Sequence, residues 1–523
     1  MRVADLVSRH ASARPNEPAL ICGPDRLSWR QLDERTDALA AKFASVASPG
    51  DRVVIVTAAC HRHWEVVFAA SKAALVSVPL NFRWTPSELA DTIAEVEPAV
   101  LVVDHRLASG TGPDLLDLAP TPVILGFGGD DDRAEDYEVA LEAGYDLPPA
   151  DRGPWPHNAI GFTSGTTGRP QGAVLAQQHA FSSAMWLAAL FGIRAEDCFL
   201  SCMPMYVYRA GSGGLAPIMM GARSVLCDFD VDTVLDAIER ERATHMILAP
   251  IMVDRLLASP RIAGVDLGSL RGVWVGGAPS SANSIERLQE LVGDIVGSVY
   301  GGTEATAVAS MRWPLRADRP ELLSSIGRAA PVNDVRLITG GGAEPGSGEP
   351  GEIQVKGPTV MSGYWPDVDG AGLIDGWYAT GDIAIQDDEG YLYLVDRRAD
   401  VINSGGLNVY SVEVERVLLA HPQVAECAIV GAPDAELGEM VTAIVVPSEG
   451  DMDIDVLSAH CRAGLAGYKC PRQWLVRASL ARNAMGKTDK RRLRDELWAD
   501  SETNLGGARL SADQLRTGTS PDG

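Results

Sequence analysis

The chain has 523 residues, 46% of them apolar and 22% charged, and a formal net charge of −25. That length exceeds what one hydrophobic core organises, so two or more domains are expected. Such acidity repels phosphate backbones and anionic lipid, which argues against nucleic acid or a membrane surface as the main partner; a bound nucleotide would need locally placed cations or a metal ion.

In chain order, Ser28-Trp29-Arg30-Gln31 has the form of a capping box, opening a helix with Leu32, Leu39 and Phe43 on one face. Residues 53–56 read as a buried strand, 64–75 as a helix and 76–80 as a strand. Thr85-Pro86-Ser87-Glu88 starts a further helix with proline at its first position, and 99–103 is another short apolar run. Strand, helix, strand at this spacing implies crossover connections and a mostly parallel sheet. Residues 128–151 break the rhythm with Asp130, Asp131, Asp132, Glu135 and Asp136 among glycines and prolines, and read as a solvated loop without chemistry.

After an apolar run at 159–162 comes Thr163-Ser164-Gly165-Thr166-Thr167-Gly168-Arg169-Pro170-Gln171-Gly172. Its glycines let the backbone turn so that successive N–H groups point inward, and its hydroxyls add donors, which together suit a polyphosphate. It lacks the terminal Gly-Lys-Ser/Thr of a Walker loop, and taken alone its composition reads first as an ordinary surface loop. Residues 173–191 read as a strand end followed by a helix. The alternation then resumes, with strands at 199–202, 224–227, 246–249, 273–275 and 297–299 and helices at 211–220, 231–242, 250–258 and 280–291. A glycine-rich turn region at 339–351 precedes a more antiparallel strand at 351–355. The texture changes at Asp396-Arg397-Arg398-Ala399-Asp400. A helix at 411–419, strands at 426–430 and 441–446, and a helix at 454–465 then suffice for a small α+β domain. The expected organisation is α/β: a large N-terminal domain over 1–395 built of parallel-rich sheets with helices, a small C-terminal α+β domain over 396–498, and a disordered tail over 499–523.

Eight scattered cysteines without CxxC spacing read as thiols in a reducing compartment, not as a metal or disulfide framework. The N-terminus has no apolar stretch of the signal-peptide kind, and no apolar run approaches the ~18 residues of a membrane span, so a cytoplasmic location is expected.

Several short stretches concentrate the groups a nucleotide needs. Tyr300-Gly301-Gly302-Thr303-Glu304 follows a strand and offers an aromatic face, a hydroxyl and a carboxylate. Gly276-Gly277-Ala278-Pro279 permits close backbone approach. Trp377-Tyr378-Ala379-Thr380-Gly381-Asp382 ends in a carboxylate able to accept from two ribose hydroxyls. Ser404-Gly405-Gly406-Leu407-Asn408 leaves room for a narrow ligand, and Gly486-Lys487 lies in a basic cluster with Lys490, Arg491, Arg492 and Arg494. Each alone is an ordinary turn or a solvated helix face.

In this order and spacing they resemble the adenylate-forming superfamily, over about residues 10 to 497, and are most similar to its free-standing acyl- and aryl-CoA ligases. The resemblance implies a mobile C-terminal lid over the larger domain. It implies that Thr163, Ser164, Gly165, Thr166, Thr167 and Gly168 hold the β- and γ-phosphates of ATP. Gly277, Ala278 and Tyr300 would frame the adenine, Pro279 and Gly301 would belong to the same cofactor site, Thr303 would touch the α-phosphate, and Glu304 would bind Mg²⁺. Asp382 and Arg397 would hold the ribose, Lys487 would reach the reacting centre from the lid, and Gly405 and Gly406 would line a path for the thiol of coenzyme A. Tyr206, Val207, Arg209, Gly211, Trp274, Gly276 and Gly302 would surround a small aromatic or polar acid.

Three positions depart from the family pattern. Gln171 replaces the lysine that usually follows the loop's proline. Val207 stands where most acyl-CoA ligases carry a histidine near the reacting carboxylate, or else the loop is one residue longer. Ala399 occupies the hinge, normally Lys or Asp. With Thr303, Glu304, Asp382, Arg397 and Lys487 present, adenylation stays the expected chemistry, while the acceptor stays open: coenzyme A, a carrier-protein thiol, an amine, or nitrite activation for diazotisation of an aromatic amine. Arg209 would pair with a second acidic group on the substrate or simply face solvent. A non-catalytic nucleotide-binding protein is the alternative from another class, and Lys487 argues against it.

Overall fold

In the computed structural model, residues 2–108, 116, 123–129, 131–143, 157–163, 170–278, 280–313, 319–368, 370–405, 407–434, 436–448, 452–482 and 488–499 are described, with backbone alone for 86, 108, 208–213 and 499. The chain divides into two compact units, Met1–Thr380 with Ala384–Leu394, and Gly381–Ile383 with Val395–Gly523.

The first unit contains two large sheets. In the nine-stranded one, Val296–Tyr300, Gly272–Gly276, His245–Leu248, Cys198–Ser201, Arg223–Leu226 and Pro18–Cys22 lie side by side in parallel, with antiparallel strands at both ends. In the eight-stranded one, His157–Thr163, Val76–Pro79, Arg52–Val56, Val100–Asp104 and Val123–Phe127 are parallel neighbours, and Gln171–Ala176 returns antiparallel to His157–Thr163. The valine-rich strands are buried on both faces, as helix-covered parallel sheets require. A third, antiparallel sheet includes Asp334–Ile338, Gly351–Lys356 and Trp377–Gln386.

The helix starts read from sequence have their chemistry in place. Ser28 and Gln31 exchange both capping bonds at 2.9 and 3.3 Å. Thr85 and Glu88 do the same at 2.8 and 3.3 Å, with Pro86 at the first helical position.

Other expectations shift. The helix placed at 64–75 runs His61–Lys72, because Ala74 turns into the left-handed region at φ +60° and releases Leu75 toward the next strand. The helix placed at 211–220 is Tyr208–Met220, starting three residues earlier than expected. The stretch 128–151, expected as a solvated loop, contains a short strand Glu135–Asp136 and a helix Tyr137–Glu142 that buries Tyr137; Asp130, 144–151 and the tail beyond 499 lie outside the described residues.

The second unit has strands Ile402–Ser404, Leu407–Val409, Val424–Asp434, Gly438–Pro447 and Gln473–Val476, with helices Ser411–Leu419, Ile454–Gly464 and Lys490–Ala499. The expected strands at 426–430 and 441–446 are the centres of a longer hairpin.

Candidate active site

Three strands of the first unit end at the stretches singled out above: His157–Thr163, Gly272–Gly276 and Val296–Tyr300. The C-terminal edge of parallel strands is where α/β sheets place ligands, because the loops there are free to vary while the strands hold them.

The best-defined contact joins two of those ends. Thr163 Oγ1 donates to Glu304 Oε1 at 2.9 Å, and the Tyr364 hydroxyl reaches the same oxygen at 3.3 Å. Glu304 sits on a tight turn in which the Gly302 N–H donates to the Ala305 carbonyl at 2.7 Å and the Met361 N–H donates to the Glu304 carbonyl at 2.8 Å. Gly301 has no substitute here, since a Cβ would stand 2.0 Å from the Thr306 carbonyl oxygen. Thr303 lies in the same turn, and Tyr300, partly buried, closes the strand that feeds it. Gly277 turns the chain after Gly276 at φ +97°, a conformation side-chain-bearing residues avoid, and Ala278 follows exposed.

Glu304 offers one carboxylate with hydroxyls around it. Among the described residues, no group of three or more His, Cys, Asp or Glu side chains could hold a metal ion. A single carboxylate is what Mg²⁺ takes when substrate phosphates and water complete its shell, so the donor set fits that ion.

The residues expected around the acid come from several elements. Tyr206 is buried, edge-on to Phe82 with centroids 5.6 Å apart. Val207 precedes the helix Tyr208–Met220 and packs against the main core. Arg209 and Gly211 fall in that helix, with no side chains described. Trp274, expected as an aromatic wall, is a core residue. It is 1% exposed and stacks on Phe191 of the helix Gln177–Phe191 at 4.6 Å. Gly297 on the neighbouring strand makes room for its ring, 2.4 Å from where a Cβ would be. A small cavity on the same side is lined by Trp186, Leu187, Ile247, Val299, Tyr300 and Thr306.

The second unit brings Asp382 and Arg397 together, Nε to Oδ1 at 3.1 Å, with side chains 17% and 65% exposed. Gly405 turns at φ +63°, and its N–H donates to the Leu437 carbonyl at 2.8 Å. Ser164, Gly165, Thr166, Thr167, Gly168, Pro279, Gly406 and Lys487 lie outside the described residues.

Sequence reasoning missed a buried charged group here. Lys490, assigned with its neighbours to a solvated helix face, instead donates to Ser411 Oγ at 2.6 Å and pairs with Glu415 at 2.8 Å. Asp396 accepts from the Arg397 N–H at 2.7 Å, the Ser411 hydroxyl at 3.0 Å and the Ser411 N–H. Burial pushes the carboxyls of Asp396 and Glu415 upward against the pull of Lys490. Burial also works to deprotonate Lys490, but Glu415, Asp396 and Asp400 outweigh it and raise its pKa. The signal was present: Lys490, Leu493 and Leu497 share one helical face, and both leucines pack in the core beneath it. Nothing in the sequence pointed to Tyr364.

All eight cysteines are free thiols. Among the described residues, no helix is long and apolar enough to cross a membrane.

Comparison with known proteins bears on this geometry. The AMP-binding enzyme family matches residues 7–365, and the AMP-binding enzyme C-terminal domain matches 413–487. The chain is 32% identical to indoleacetate–CoA ligase of Aromatoleum aromaticum over 94% of its length and 97% of the relative's. It is 34% identical to a feruloyl-CoA synthase of Amycolatopsis over 93% and 97%. Among solved structures it resembles the amide bond synthetase McbA of Marinactinospora thermotolerans, with 30% identity, a TM-score of 0.83, and coverage of 95% of this chain and 100% of that one. With family matches on both sides of the charged run at 396–400 and curated relatives matched over nearly their whole length, the chain belongs to the AMP-binding enzymes, the adenylate-forming group of acid–thiol ligases.

Proposed function

We propose that the chain uses ATP to activate a small aromatic or polar carboxylic acid and transfers the acyl group to coenzyme A. A carboxylate is a poor electrophile. Its oxygen attacks the α-phosphorus of ATP, pyrophosphate leaves, and the mixed anhydride formed is then opened by a thiol with release of AMP. The observation that carries the reading is the 2.9 Å contact between Thr163 and Glu304. It sets the start of a hydroxyl- and glycine-rich loop beside a carboxylate from a second strand end.

In this reading Thr163 and the loop after it receive the outer phosphates, and Thr303 donates to the α-phosphate. Gly277, Ala278 and Tyr300 frame the base. Asp382 accepts from the ribose hydroxyls while Arg397 holds it in place. Mg²⁺ bound at Glu304 would neutralise charge on the phosphate oxygens. Lys487 supplies the ammonium that meets the charge developing between carboxylate and phosphorus. Trp186 and Tyr300, which line the small cavity, favour a flat ring over a long chain; indoleacetate–CoA ligase and feruloyl-CoA synthase are named for aryl-bearing acids.

A second reading changes only the acceptor, from thiol to amine. Val207 in place of the usual histidine and the likeness to an amide bond synthetase favour it. Acid-dependent release of AMP, measured with a panel of aryl acids, with and without coenzyme A and with amines, separates the two. Thioester formation that requires coenzyme A is the expected result. AMP release with amine but not with coenzyme A would replace the first reading by the second, and no acid-dependent pyrophosphate exchange would remove both.

A further inference from the structure

We propose that His179 is a positioning residue for the Thr303–Glu304 turn, an assignment that rests on the role given to Glu304 above. His179 lies in the first turn of the helix Gln177–Phe191, which follows directly on the strand Gln171–Ala176. Its side chain is wholly buried, and burial drives its pKa down to about 3, so the ring is neutral. A neutral imidazole carries one donor and one acceptor. The ring nitrogen Nε2 is 3.2 Å from Thr306 Oγ1, and the backbone of Thr359 lies beside the ring.

Thr306 is two residues beyond Glu304, and its N–H donates to the Thr359 carbonyl at 3.1 Å. Thr359 is itself clamped. Its hydroxyl accepts from the Asn333 amide at 2.6 Å and from the Ala307 N–H at 3.3 Å. The turn is thus held at two points by the segment flanking the phosphate loop: on one side by Thr163, at the end of the strand that enters the loop, and at its back by His179, on the helix that follows the returning strand. A carboxylate that receives a cation must be fixed by the shell behind it, and a neutral brace does this without adding a charge that would compete for the ion.

The test uses the full chain with His179→Leu, His179→Asn and Thr306→Val. Hydrogen exchange is followed at residues 302–306, with 52–56 as an internal reference. Loss of one buried bond is expected to speed exchange at 302–306 roughly fivefold in His179→Leu and in Thr306→Val, with His179→Asn intermediate. The Mg²⁺ concentration for half-maximal pyrophosphate exchange should rise in the same order, more than kcat falls at saturating Mg²⁺, and the double variant should add little. Unchanged exchange at 302–306, or a lowered melting temperature with an unaltered Mg²⁺ requirement, would overturn the assignment. Thr306→Val, nearly isosteric, decides the matter if His179→Leu fails to fold. A wild-type chain without acid-dependent exchange would sink the role of Glu304, while hydrogen exchange would still report whether His179 holds the turn.

Discussion

The two units hold their nucleotide-site candidates by opposite means. In the first, the Glu304 turn is backed by neutral groups: His179, Thr306, Thr359 and Asn333. In the second, the segment carrying Arg397 is backed by charge: Lys490 with Glu415 and Ser411, and Asp396 with Ser411. A neutral network loses about 1–3 kcal/mol when one buried partner is stranded. A charged one loses more, because the charge left behind has neither water nor counterion. The first arrangement tolerates single substitutions; the second demands every member.

That contrast is most directly broken at Lys490. Lys490→Met leaves Glu415 and Asp396 without their cation and should destabilise the second unit by about 3–5 kcal/mol, against about 1–3 for Thr306→Val in the first. Denaturant unfolding followed by a probe in each unit measures both; equal losses would erase the distinction.

Lys487→Ala comes next, with an effect on rate and not on stability. Adenylation should fall roughly 10²-fold or more while both unfolding midpoints hold, as pyrophosphate exchange and melting curves would reveal.

Acid separates the units by sign. Burial lowers His179 to about 3 and His63 to about 4, below the ordinary 6.5. The unfolded chain therefore takes up protons that the folded unit refuses. Their contribution to stability is full above pH 6.5 and is lost as pH falls toward 4, at up to about 1.4 kcal/mol per pH unit for each ring. Glu65 adds to this. Burial opposes its charge, but bonds from His61 and Arg35 win and hold it at about 2, so its contribution fades as pH drops below the ordinary carboxylate range. Asp396 and Glu415, raised by burial, act the other way: the folded unit binds protons more readily than the unfolded chain, and mild acid relieves their cost. Calorimetry at pH 7.5 and 5 should find the first unit losing more melting temperature than the second, and His179→Leu should flatten that loss.

The smallest stability effect belongs to Asp382. Its partner Arg397 is largely exposed, so Asp382→Ala should cost under about 1 kcal/mol of folding stability. The KM for ATP should nonetheless rise about tenfold, from the lost charged acceptor for ribose. A large stability loss with unchanged KM would make the pair structural.

Much of the architecture was readable from local pattern. The capping boxes at Ser28 and Thr85, the valine-rich strands and the helix at 411–419 each follow from a few neighbouring residues, and each is in place. Strand alternation with helices implied parallel pairing, which both large sheets of the first unit display. Less legible were features set by distant partners. Trp274 reads as a pocket wall until Phe191 and the bare Gly297 backbone are seen to enclose it. Lys490 reads as one more exposed cation of a basic run until Glu415 and Ser411, more than seventy residues earlier, are found against it. Tyr364 belongs to no motif and reaches Glu304 only through the packing of the segment around it.

Residue order alone settles the alternation of elements, the helix caps and the family, because hydrophobic period, capping chemistry and motif spacing are local properties of a chain. Which side chains meet is not local. That Thr163 touches Glu304, that His179 stands behind Thr306, and that a lysine is buried among carboxylates depend on strands and helices brought together from far apart in the chain. Such contacts are products of packing, where one residue's burial is decided by the shape of all the others.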